Sequence, residues 1–188
     1  MRNIVITEKM LFYEQKFMVY TQIEEEQLKK YHPKMYNCGR NTYDIFLSHN
    51  INDKKVVKGL WIYLAKLGYT VYIDWIFDYE VNRANINRNT ADMLKSRMKI
   101  CHSMFYLVTP NSKQSIWTPW ECGFFERQNG KIAICPILER KNIREYEESG
   151  FLSLYPYVLF GKLKDEEEET LLVNDHSKIH TFKDWVKR

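Results

Sequence analysis

The feature that most restricts the fold of this chain is a series of short, nearly all-apolar runs separated by segments long enough for helices. Tyr43-Asp44-Ile45-Phe46-Leu47-Ser48 is the first run, and YTVYID (69–74), SMFYLVT (103–109), KIAICPIL (131–138) and residues 155–160 follow. A strand that is apolar on both faces belongs in a sheet covered on both sides, which means a parallel sheet with crossover helices. The intervening segments supply those helices. Between Asp53 and Gly68, the residues Val56, Val57, Leu60, Ile62, Tyr63, Leu64 and Leu67 recur at helical spacing, and Gly68 is a stop signal. Thr90 to Lys99 sets Ala91, Leu94 and Met98 on one face, and Trp120 to Gln128 reads as a short helix. With right-handed crossovers, the expectation is an α/β, flavodoxin-like parallel sheet of five strands in the order 2-1-3-4-5, with helices on both faces.

The 188 residues hold one such domain and a modest extension. Residues 1–42 read as an N-terminal helical extension, with a helix from Phe12 to Lys30 that Tyr31-His32-Pro33 breaks. It is either a packing appendage, a surface for self-association or a partly disordered arm. Residues 43–163 form the domain itself. Residues 164–188 read as a C-terminal tail with an acidic run, Asp165 to Glu169, and a short helix from Thr181 to Lys187. Asn142 to Glu147 is a further helical candidate.

Composition narrows the function classes. The net charge of +4 is weakly basic, and no Lys/Arg stripe is interleaved with aromatic residues, so nucleic acid is not an expected partner. No apolar run approaches membrane-spanning length, so no membrane association is expected. Cys38, Cys101, Cys122 and Cys135 form no CxxC pair, and three lie in apolar runs as buried thiols. MRNIVITEKM has no signal-peptide core. These features together predict a cytoplasmic protein.

In a sheet of this order, ligands bind where the strand order reverses, at the carboxyl ends of the first and third strands. The site is therefore expected in Ser48 to Asp53 and Pro110 to Glu121, beside the polar loop 75–89. There is no GxGxxG and no Walker A motif. Ser48 and His49 are a poor nucleophile and base for each other, because neighbours on a strand end point to opposite sides. Trp117 and Glu121 are four apart and share one face if both are helical, which sets a carboxylate below an aromatic plate. Thr118-Pro119-Trp120-Glu121 also reads as a capping box that would tie Glu121 to the helix start. Spacing alone leaves both roles open. His176 and His180 stand at i, i+4 but lack a third ligand, so no metal is expected. Asp74 and Asp78 make only an incomplete acidic cluster for a nucleotide hydrolase or transferase.

These residues also carry a resemblance. Tyr43 to Ser48 resembles the opening strand of TIR (Toll/interleukin-1 receptor) domains, and Tyr72-Ile73-Asp74-Trp75 resembles their second strand and the start of the BB loop. Ser115-Ile116-Trp117-Thr118-Pro119-Trp120-Glu121 resembles the segment that bears the catalytic glutamate of NAD⁺-cleaving TIR domains. The stretch from Thr90 to Ile137 is similar to stand-alone bacterial TIR proteins such as the TIR components of Thoeris anti-phage systems. The resemblance spans about residues 43–160 and implies an NAD⁺ nucleosidase or cyclase with Glu121 as its catalytic group. It implies substrate-lining roles for Ser48, His49, Trp75, Arg83, Ser112 and Trp117. It further implies NAD⁺ as substrate with no resident cofactor, self-association through TIR surfaces and an effector that senses the product. A non-catalytic scaffold acting through TIR assembly is the alternative.

Overall fold

A computed structural model describes residues 12–13, 42–78, 83, 86–128, 130–138, 150–163 and 168–187. Its strands are β1 (Phe12–Tyr13), β2 (Tyr43–Ser48), β3 (Val71–Tyr72), β4 (Cys101–Val108), β5 (Ile132–Leu138), β6 (Tyr157–Lys162), β7 (Glu169–Asn174) and β8 (Ile179–Thr181). Its helices are α1 (Lys54–Lys66), α2 (Asp74–Phe77), α3 (Arg88–Lys99), α4 (Trp117–Gln128) and α5 (Phe182–Val186). The sheet runs β3-β2-β4-β5-β6-β7-β8 and is parallel as far as β6. Counted from β2, its parallel part has the expected order 2-1-3-4-5.

Two regions differ from the expectation. Residues 169–181, read as tail, add β7 and β8 to the same sheet as antiparallel strands. Leu171, Leu172 and Val173, just beyond the acidic run, are fully buried in this sheet. Phe12 and Tyr13, read as a helix start, instead pair in parallel with Ile137 and Leu138 of β5. The rest of the expected N-terminal helix, the 142–147 segment and most of the acidic run lie outside the described residues.

Alternation along each strand divides the core in two. Ile45 and Leu47 of β2 face α1 and α5, packing with Val57, Leu60, Phe105, Leu107, Phe182 and Trp185. Phe46 faces α3 and α4, packing with Leu94, Met98, Met104, Cys122 and Phe125, and Tyr43, at the start of β2 and out of this alternation, joins the same cluster. This register puts Ser48 on the α3/α4 side, the same side as Phe46. Gly68 ends the α1 turn with φ +87°, which favours glycine.

Phe105 is fully buried on the central strand β4, edge to face with Phe182 at 5.5 Å. Phe105→Ala is expected to destabilise the fold by about 3–5 kcal/mol. Urea denaturation checks this as a lower midpoint with an unchanged slope.

Candidate active site

The site begins with the start of α4. Ser115 Oγ accepts from the Thr118 backbone N–H at 3.2 Å and from the Thr118 hydroxyl at 2.6 Å. Ser115 therefore caps the helix, and α4 starts at Trp117, three residues before the sequence signal at Trp120. Glu121 is not the cap residue that the Thr118-to-Glu121 spacing allowed. It lies one turn inside the helix with its side chain wholly buried against β2.

The Ser48 hydroxyl donates to Glu121 Oε2 at 2.5 Å. The other carboxylate oxygen, Oε1, is 2.9 Å from Arg83 Nη2. That contact has ion-pair distance but not hydrogen-bond angles, so both atoms lack a hydrogen-bond partner. Burial raises the proton affinity of Glu121, and this outweighs the opposing pull of Arg83 and Ser48.

Arg83 lies between two buried carboxylates. Its Nε donates to Asp74 Oδ2 in a close ion pair, and its Nη1 donates to the His49 carbonyl at 3.3 Å. Burial alone would weaken the guanidinium's hold on its proton, but Glu121 and Asp74 outweigh this and strengthen it. Burial would likewise raise Asp74, but Arg83 and neighbouring groups hold it below the usual carboxylate range. Asp74 Oδ1 has no hydrogen-bond partner.

His49 is neutral for reasons of geometry. Its Nδ1–H donates to the Leu47 carbonyl at 2.8 Å, and its Nε2 accepts from the Trp75 indole at 2.9 Å. A ring that accepts at Nε2 carries no proton there. Burial, assisted by Arg83, pushes its pKa down to about 4. With His49 neutral, the site formed by Glu121, Asp74 and Arg83 carries a net negative charge when Glu121 is ionised.

The two loops of the crevice are laced together by Asp53. Its carboxylate accepts from the Thr109 hydroxyl at 2.7 Å and from Asn111 Nδ2 at 2.6 Å. Asn50 Nδ2 donates to the Asn111 carbonyl at 2.8 Å. Ser112 belongs to this lacing: its hydroxyl accepts from the Thr109 N–H and donates to the Leu107 carbonyl. Trp117 is buried, and its indole donates to the Arg83 carbonyl at 2.7 Å.

Thus Ser48, Arg83 and Glu121 are in direct contact, with His49, Trp75 and Trp117 around them, whereas Ser112 binds its own loop. Arg83, expected to line the substrate, instead pairs with the two carboxylates and donates to the His49 carbonyl. Sequence reasoning missed Asp74 as a site residue, although an acid closing the run YTVYID beside the crevice was the available signal. Asp78 turns away from Asp74 and takes Arg97 at 2.6 and 2.7 Å and the Tyr72 hydroxyl at 2.6 Å. The two therefore do not form the cluster a metal-dependent nucleotide hydrolase needs. His176 and His180 also part, one toward the Tyr155 carbonyl and the other toward Asp175. Among the described residues, no group of three acidic, His or Cys side chains is placed to hold a metal, and no helix is long and apolar enough to cross a membrane.

Residues 45–172 match the model of the TIR domain family. The chain belongs to the TIR domain family. This TIR domain is 37% identical over 147 residues to a Bacillus cereus (strain MSX-D12) protein named "Probable 3' cyclic ADP-D-ribose synthase ThsB'", covering 78% of this chain and 76% of that one. It is 30% identical over 97 residues to "Putative cyclic ADP-D-ribose synthase TIR2" of Cytobacillus dafuensis, covering 51% of this chain and 25% of the relative.

The His49 environment predicts a pH effect on this TIR domain. A base whose folded pKa is depressed binds fewer protons folded than unfolded, so its contribution to stability is lost as pH falls from 6.5 toward 4. The loss is about 3 kcal/mol at one pKa unit per ~1.4 kcal/mol. Chemical denaturation of the wild type and His49→Gln over this range is expected to show a steeper fall in the wild type.

Proposed function

We propose that this protein cleaves the nicotinamide–ribose bond of NAD⁺ and closes the remaining ADP-ribose into a cyclic isomer, which acts as a signal in anti-phage defence. The observation that carries this reading is the buried Glu121 carboxylate, bonded to Ser48 at 2.5 Å at the sheet's switch point, within a site of net negative charge. Such a site suits a cationic substrate better than an anionic one. The names of both relatives support cyclisation, and the first relative makes the 3′ isomer the product to seek first.

The chemistry follows from the leaving group. Nicotinamide in NAD⁺ is cationic, so the C1′–N bond breaks with its electron pair passing to nitrogen, and neutral nicotinamide leaves without protonation. The barrier lies in the oxocarbenium-like ribose left behind. A carboxylate fixed in a water-poor site stabilises that charge as it develops. Glu121 fills this role, and the Ser48 hydroxyl sets the orientation of its carboxylate. The neutral His49–Trp75 pair and Trp117 stand around these groups, and Ser112 shapes the neighbouring loop. Attack on C1′ by a nucleophile of the adenosine half, with loss of its proton, closes the ring. Water in its place would yield ADP-ribose.

A scaffold working only through TIR assembly does not require an acid at position 121. Self-association through TIR surfaces and an effector that reads the product complete the proposed pathway.

Incubation with NAD⁺ at high protein concentration, read by mass-resolved chromatography, tests the reading. The wild type is expected to release nicotinamide and a co-product one water lighter than ADP-ribose. Glu121→Gln is expected to lower release by ~10²-fold or more while retaining the fold; near-normal release by this variant would end the assignment. A second outcome concerns pH. Glu121 acts as the anion and its proton affinity is raised, so kcat/KM is expected to fall on acidification with a midpoint above the ordinary glutamate value of about 4.3. A rate that stays level down to that value would contradict the role.

A further inference from the structure

Three of the six large apolar side chains that stand exposed among the described residues line one groove. They are Ile86, Ile116 and Trp120, which are 69%, 60% and 36% exposed. The groove lies between α3 and α4, has a volume of about 490 Å³ and is completed by Arg88, Lys95 and Trp117. Apolar surface gathered in a concavity of this size, with a few polar groups at its edge, is the usual form of a small-molecule site of about 300–1,000 Å³. Trp117 belongs both to the groove and to the buried site, where its indole donates to the Arg83 carbonyl. Glu121 follows one turn later, ~6 Å along the helix axis. The charges of the two regions differ. The buried site sets two carboxylates, Glu121 and Asp74, against Arg83. In the groove, Arg88 and Lys95 face a single acid, Asp92, which pairs with Lys95 at 3.1 Å. Trp120 stands edge-on to Trp117 with ring centroids 5.4 Å apart, and the Lys95 ammonium lies 5.9 Å over its face. An exposed indole face that takes a cation also takes a planar base.

We infer that the α3–α4 groove binds the adenosine diphosphate half of NAD⁺, with the adenine on the face of Trp120 and the diphosphate between Arg88 and Lys95. This rests on the NAD⁺ reading above and extends it to residues outside the buried charge cluster. The two halves of the dinucleotide carry opposite charges. The nicotinamide–ribose half is cationic and belongs with the carboxylates. The diphosphate is anionic, is repelled by those carboxylates and is drawn to the cations of the groove. Trp117 stands between the two regions, where the halves join. Ile86 and Ile116 supply the apolar walls for the base. The Lys95 ammonium, shared by Trp120 and the exposed Asp92, turns to a phosphate without breaking a buried contact.

Calorimetry of the full chain with ADP as the probe, beside steady-state nicotinamide release from NAD⁺, tests the assignment in the wild type, Trp120→Ala, Trp120→Phe and Lys95→Gln. ADP is expected to bind the wild type, and Trp120→Ala to weaken that binding about tenfold, the order of one lost base–aromatic stack. Trp120→Phe keeps an aromatic plate and is expected to restore most of the affinity. Lys95→Gln is expected to weaken ADP about threefold, as befits an exposed charge. In turnover, Trp120→Ala is expected to raise the KM for NAD⁺ by about the same factor as its loss of ADP affinity, with little change in kcat, because the groove contact is made equally in the ground and transition states. A residue that merely supported the fold would lower Tm and kcat without this split. If Trp120→Ala does not fold, Lys95→Gln carries the test. No binding of ADP by the wild type, or binding that the folded variants leave unchanged, overturns the proposal. So does ADP binding that depends on Trp120 while the KM for NAD⁺ stays constant, since the groove would then serve a free nucleotide. Nicotinamide release is a separate readout: its absence from the wild type, with ADP bound through Trp120, would sink the NAD⁺ reading instead.

Discussion

The buried contact between Glu121 and Ser48 is the interaction on which the site depends. It ties α4 to the end of β2 and holds a carboxylate where water does not reach. An ionised carboxylate in such a place is costly by several kcal/mol unless charges and hydrogen bonds offset it. Ser48 and Arg83 supply that offset, and Asp74 balances Arg83 in turn. The four side chains therefore stand or fall together, and a change in one alters the protonation of the others.

The scaffold makes this arrangement possible in two ways. Strand alternation turns Ser48 toward the face covered by α3 and α4, while Leu47 packs on the α1 side. The Asp53 lacing then fixes the loops after β2 and β4 against each other through Thr109, Asn111 and Asn50. Both loops are anchored on rigid strands, so the carboxylate sits at a fixed height above the sheet. Among the described residues, Arg83 reaches the site from between α2 and α3.

The neutral state of His49 belongs to the same design. Its ring bridges the Leu47 carbonyl and the Trp75 indole, so it holds α2 close to β2 without adding positive charge beside Arg83. A protonated ring there would repel the guanidinium and the cationic substrate alike. The site keeps its negative balance through this hydrogen-bond pattern as much as through its acids.

Much of the fold could be read from local pattern. Apolar runs such as Ile45-Phe46-Leu47 and Met104-Phe105-Tyr106-Leu107 announce buried parallel strands, and the order of those strands locates the crevice before any side chain is placed. The Trp117–Glu121 spacing also marked the catalytic candidate, because residues one turn apart share a face in any helix. Other features needed the tertiary structure. Whether Glu121 capped its helix or faced the site turned on Ser115 taking the cap, a choice between hydrogen bonds that spacing leaves open. β7 and β8 acquire partners only when β6 presents an open edge, and Arg83 and Asp74 meet Glu121 only when a loop and two strand ends converge. Sequence by itself determined the elements and their periodicity, since these follow from local geometry and burial; the tertiary structure decided which charges share the crevice, because that depends on contacts between residues 9 to 73 positions apart.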